Sequence, residues 1–200
     1  YPDRIFRQLP IKSLPQSVLD WLQNVPYVLA QGGANPDRHL RELADAIMQQ
    51  CDVKLIVVGP YRQNQLEQFE QKYGEAWREK ILFTGYIPQL DIVPYIDHAI
   101  ASVVFYAMNS ENSRLCAPNR LYQALSRGIP VIVGPNPPMR QLVEQARCGV
   151  VVEHDNPHSI LQGIQEIRAK TVMYKRNAVV SACNIFWESQ PAWNSILFMK

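Results

Sequence analysis

Residues 27–58, YVLAQGGANPDRHLRELADAIMQQCDVKLIVV, decide the fold. The stretch opens on an apolar run, Tyr27–Ala30, and closes on a second, Val53–Val58, interrupted by Lys54 alone. Between them Leu40, Leu43, Ala44, Ile47, Met48 and Cys51 recur at i, i+3, i+4, i+7, i+8 and i+11, the spacing of one buried helix face. Both flanking runs are apolar at consecutive positions rather than alternate ones, as in strands covered on both faces. The stretch therefore reads as two parallel strands joined by a helical crossover.

The same alternation continues outward. Strands are expected at Ile81–Thr84, Ile100–Phe105, Val131–Val133 and Val150–Val152. Helices are expected over Gln63–Tyr73, Pro118–Arg127, Pro138–Ala146, Pro157–Lys170 and Thr171–Phe186. Six such units predict a doubly wound, Rossmann-like α/β domain, a six-stranded parallel sheet with helices on both faces; a closed barrel would need two more. The domain is placed at residues 26–186. Residues 1–25, with Pro2, Pro10 and Pro15, read as a linker carrying one short helix, Gln16–Asn24. Residues 187–200 bring Trp193, Ile196 and Leu197 to helical spacing and read as a helical tail. The chain starts at Tyr1 with no secretory signal, and is expected to be a piece of a longer cytoplasmic protein.

Composition excludes several classes. With 47% hydrophobic and 19% charged residues, the 200-residue chain can bury a sizeable core and is not disordered. Twenty Lys and Arg against eighteen Asp and Glu leave +2 with no block of one sign, so neither a nucleic-acid stripe nor a polybasic membrane patch is present. No apolar run approaches the roughly 18 residues of a membrane span. Cys51, Cys116, Cys148 and Cys183 form no C-x-x-C pair; they read as reduced thiols, with only Cys116 outside apolar surroundings, and no metal ligands are expected.

Ligands of an open parallel sheet bind beyond the carboxyl ends of its strands, where strand order reverses. The first such loop, Gln31 to Arg38, contains Gly32 and Gly33, which allow close backbone approach, and Arg38, which suits an anion. The second, Tyr106 to Ala117, is longer than the usual 4 to 6 residues or so and rich in Asn and Ser. It leads into Pro118, after which the N–H groups of Asn119, Arg120 and Leu121 would face a phosphate. Asn119 and Gln123 share one face of that helix. The P-loop, the dinucleotide fingerprint and the G-x-S-x-G elbow are all missing. His39, His98, His154 and His158 read as solvated or satisfied.

Gln31-Gly32-Gly33 followed by Arg38, then Ile81-Leu82-Phe83-Thr84-Gly85-Tyr86-Ile87-Pro88, then Ala117-Pro118-Asn119-Arg120-Leu121-Tyr122-Gln123 through Gly128-Ile129-Pro130-Val131-Ile132 resemble, in order and spacing, a retaining glycosyltransferase of family 4 type, glycosyltransferase group 1. The match is to the C-terminal, donor-binding half of the GT-B fold. It implies that Gly32, Gly33 and Arg38 meet the donor diphosphate, that Tyr86 and Ile87 border the base, and that Arg120 stands where such proteins often carry Lys. It implies a nucleotide-diphosphate sugar as donor substrate, no metal or other cofactor, and a saccharide, lipid-linked or protein acceptor. The acceptor site and catalytic residues would lie in an N-terminal domain of the same protein, through which any membrane attachment would also run. The family's acidic pair, eight residues apart, reads here as Leu115 and Gln123, with Glu111 out of register. Gln123 can still hydrogen-bond a ribose hydroxyl, but the loss of both acids raises an alternative, a degenerate binding or regulatory module.

Overall fold

The computed structural model describes residues 4–49 and 52–183. Among these, β1 (Tyr27–Gln31), β2 (Lys54–Val58), β3 (Ile81–Gly85), β4 (Ala101–Val104), β5 (Val131–Val133) and β6 (Gly149–Val151) form one sheet in the order β3-β2-β1-β4-β5-β6. Every pairing is parallel. Strand order reverses between β1 and β4, where Leu29 lies opposite Ile56 on one side and Ser102 on the other. This is the expected doubly wound sheet, with strand ends shifted by a residue or two.

The helices are α1 (Arg4–Gln8), α2 (Gln16–Leu22), α3 (Leu40–Gln49), α4 (Gln63–Tyr73), α5 (Trp77–Lys80), α6 (Val93–Asp97), α7 (Glu111–Arg114), α8 (Asn119–Ser126), α9 (Pro137–Ala146), α10 (Pro157–Ala169) and α11 (Thr171–Ala182). Successive strand residues point to opposite faces, and so two cores form. Leu29, Ile56, Val104 and Val131 join α2, α6, α8 and α9 on one face; Val28, Leu55, Val57, Val103 and Ile132 join α3, α4 and α10 on the other. In α3 the anticipated stripe Leu40, Leu43, Ala44 and Ile47 is buried. Cys51, the segment beyond Cys183 and the proposed 187–200 tail lie outside the described residues.

Part of the stretch expected to be a linker packs against the sheet, and it carries the expected short helix as α2 (Gln16–Leu22). Phe6, Leu14, Val18 and Leu22 are buried in the first core. The Arg127 guanidinium donates through Nη1 to Phe6 O, Arg7 O and Leu9 O, and its Nε and Nη2 grip Asp97 at 2.7 and 2.6 Å. Both partners of this ion pair have side chains only 5% exposed. Pro10 and Pro15 sit between segments that the core holds.

Candidate functional site

The crevice at the switch point is floored by the loops after β1 and β4, which are bonded to each other. Ala107 N donates to Asp37 O at 2.8 Å, and Asn109 Nδ2 to Asp37 Oδ1 at 3.1 Å. The two glycines serve different ends. Gly33 has φ 76°, and a Cβ there would collide with Pro60 O, so it is required by close packing of the β1 and β2 loops. Gly32 is exposed, and a Cβ on it would lie 3.2 Å from Arg120 Nη1. The N–H groups of both donate to Val58 O, at 2.9 and 3.1 Å, and are already satisfied.

Arg120, the second residue of α8, is 8% exposed. It donates to Gln31 O and, at 2.8 Å, to Phe105 O, bridging the ends of β1 and β4. Arg38 is half-buried, its guanidinium carbon 3.6 Å from the Tyr106 ring centroid, with that of Arg120 4.7 Å from the same centroid. Arg120 Nε and Arg38 Nε and Nη1 are buried with no hydrogen-bond partner. Among the described residues neither guanidinium has a carboxylate within 4.0 Å. Burial pulls both arginines below their ordinary pKa, and the Arg38 charge pulls Arg120 further; an arginine nonetheless keeps its proton at neutral pH. The Cys116 thiol is pushed up by burial, against the pull of the same two cations. Buried charge without a carboxylate partner is costly, and an anion bound there would relieve it.

The remaining candidates are spread along the sheet edge. Helix α8 begins at Asn119, because Pro118 is extended (φ −76°, ψ 152°) and caps it rather than opening it. Asn119 is exposed, whereas Gln123, one turn later, is 8% exposed. Leu121 lies in the core, and its N–H donates to Pro118 O at 2.9 Å. Tyr86, 79% exposed, and the half-buried Ile87 follow β3, two strands from β1 and thus about 10 Å away. Leu115 is 50% exposed. A cavity of about 840 Å³ opens between the β1 loop and the starts of α3 and α4, lined by Ala34, Arg41, Tyr61, Arg62 and Gln65 among others, and touches the candidate set only at Gly32.

Two participants escaped the sequence reading. Tyr106, directly after β4 and Phe105, sits against both guanidinium groups. His154, after β6 and read as solvated or satisfied, is 5% exposed, and its ring stacks on His39 at 3.9 Å. Its Nε2 lies 2.9 Å from Tyr106 O, an acceptor, which places the proton on Nε2 and leaves Nδ1 buried and bare. Their position just past a strand's carboxyl end is the signal that could have marked them.

Residues 26–170 match the family described as glycosyl transferases group 1. The chain belongs to that family. Every candidate residue from Gly32 to Gln123 falls inside the matched span. Among solved structures, this group 1 glycosyl transferase domain is similar to WaaG, a glycosyltransferase involved in lipopolysaccharide biosynthesis (17% identity, 100% of this chain and 54% of that one, TM-score 0.69). It is also similar to a glycosyltransferase from Rickettsia africae (14%, 99% and 56%, 0.75) and to Anabaena Alr3699/HepE in complex with UDP (17%, 98% and 55%, 0.73). Such likeness carries the fold, and the domain is one half of a GT-B fold. It spans about half the length of these relatives. A comparison with curated protein sequences found no match.

Proposed function

We propose that this domain is the C-terminal half of a GT-B glycosyltransferase, binding a nucleotide-diphosphate sugar whose sugar passes to a saccharide, lipid-linked or protein acceptor held by the other half. The observation that carries this is the pair of buried guanidinium groups, Arg38 and Arg120, at the switch point without a carboxylate partner. In this reading they neutralise the diphosphate as it leaves, the charge stabilisation that fixed cations supply best in a site shielded from water. Gly32 and Asn119 line the cradle, Gly33 and Leu121 hold its loop and helix in place from behind, Gln123 meets the ribose, and Tyr86 with Ile87 borders the base. Anabaena HepE was solved with UDP and glucose, and an E. coli trehalose-6-phosphate protein with UDP-2-fluoro glucose, which makes UDP the first nucleotide to try.

Calorimetric titration of the chain with UDP, GDP and ADP tests the reading. One nucleoside diphosphate should bind at one site, more weakly as salt rises; no binding of any of the three overturns it. Leu115, which stands where the family carries its first acid, favours the second reading, a binding module. The whole protein decides between them: binding without release of sugar from UDP-sugar, GDP-sugar or ADP-sugar donors selects the module.

A further inference from the structure

Arg38 is the less anchored of the two cations. Among the described residues its guanidinium makes no side-chain hydrogen bond, and it rests on the face of Tyr106. Arg120 leans on the same ring. Sharing one ring keeps the two guanidinium carbons within about 8 Å, a separation at which like charges repel unless something between them offsets it. The negative face of an aromatic ring does so.

Tyr106 is itself held from three sides. Its carbonyl accepts from His154 Nε2 at 2.9 Å, the preceding carbonyl of Phe105 accepts from Arg120 at 2.8 Å, and the following N–H of Ala107 donates to Asp37 O at 2.8 Å. The backbone that carries the ring is thus tied to the loops after β1 and β6 and to the start of α8.

We infer that Tyr106 is a positioning residue for a diphosphate: its ring gathers Arg38 and Arg120 so that two cations meet two adjacent phosphoryl groups, and the site therefore favours nucleoside diphosphates over monophosphates. The inference rests on the donor-site reading above. A monophosphate engages one guanidinium and gains little from their convergence; a diphosphate engages both.

The test uses the complete chain and calorimetry with UDP, GDP and ADP, each against its monophosphate. The wild type should prefer the diphosphate by about tenfold or more, a single charge-assisted contact being worth that much. Tyr106→Leu should lose most of this preference while monophosphate binding changes less than threefold, and Tyr106→Phe should restore it. Phenylalanines of increasing fluorination at position 106 drain the ring's negative face without altering its packing, so diphosphate affinity should fall stepwise. That series also serves if Tyr106→Leu does not fold. An unchanged preference in Tyr106→Leu, a flat fluorination series, or equal damage in Tyr106→Phe and Tyr106→Leu overturns the inference and leaves the donor site standing. Failure of the wild type to bind any of the three diphosphates overturns the donor site and this inference together.

Discussion

Arg120 shows why charge and burial have to be judged together. A charged side chain is almost never fully buried without partners, and here two main-chain carbonyls supply them, fixing the cation where β1 and β4 part. Arg38 has no such carbonyls, and its contribution should appear in binding rather than in folding. Arg38→Ala should weaken binding of the favoured nucleoside diphosphate by about 1.5 to 3 kcal/mol, as measured by calorimetry, with little change in thermal unfolding. His154 offers a pH-dependent test. Burial, and next the facing His39, lowers its pKa, while Asp155 and Glu42 oppose. The unfolded chain takes a proton near pH 6.5, the folded one only at lower pH. Its contribution to stability is therefore complete above that point and is lost as the pH falls from about 6.5 toward the folded pKa. In chemical denaturation, His154→Gln should show a shallower loss of stability than wild type across that acid window.

At the scale of elements, the sheet was legible and the packing of the segment before β1 was not. Val28 and Leu29, or Val57 and Val58, are apolar at neighbouring positions because helices cover both faces, and that pattern can be read without coordinates. Helix α3 was equally plain from its stripe. The hold on Phe6 through Leu22 was hidden, since it depends on Arg127 and Asp97, far along the chain, and on apolar side chains too sparse to set a period. In the site, Gly32 and Arg38 stood out by residue type. Tyr106 did not, because a loop residue has no periodicity and its role comes only from what folding sets beside it. Removing one member of a buried ion pair costs about 3–5 kcal/mol. Arg127→Met should thus lower stability by that order in urea unfolding, and limited proteolysis should cut the N-terminal segment first.

For the molecule as a whole, the donor-site proposal implies that ligand and fold stabilise each other, since the ligand would neutralise one half-buried and one buried cation. A nucleoside diphosphate at about one hundred times its Kd should add about 2.7 kcal/mol to stability. For a domain of this size that raises the unfolding temperature by roughly 5 to 10 °C in differential scanning fluorimetry. The corresponding nucleoside, which lacks phosphate, should produce no such rise.

The Arg127 clamp also sets an order in time. Its carbonyl partner in Leu9 lies 118 residues upstream, and that in Phe6 lies 121. During synthesis at about 5–20 residues per second, on the order of ten seconds separate the appearance of α1 and α2 from that of the cation that fastens them. Throughout that interval Phe6, Leu14, Val18 and Leu22 lack the part of their core that α8 supplies, so this stretch of the nascent chain stays only partly covered until α8 has left the ribosome.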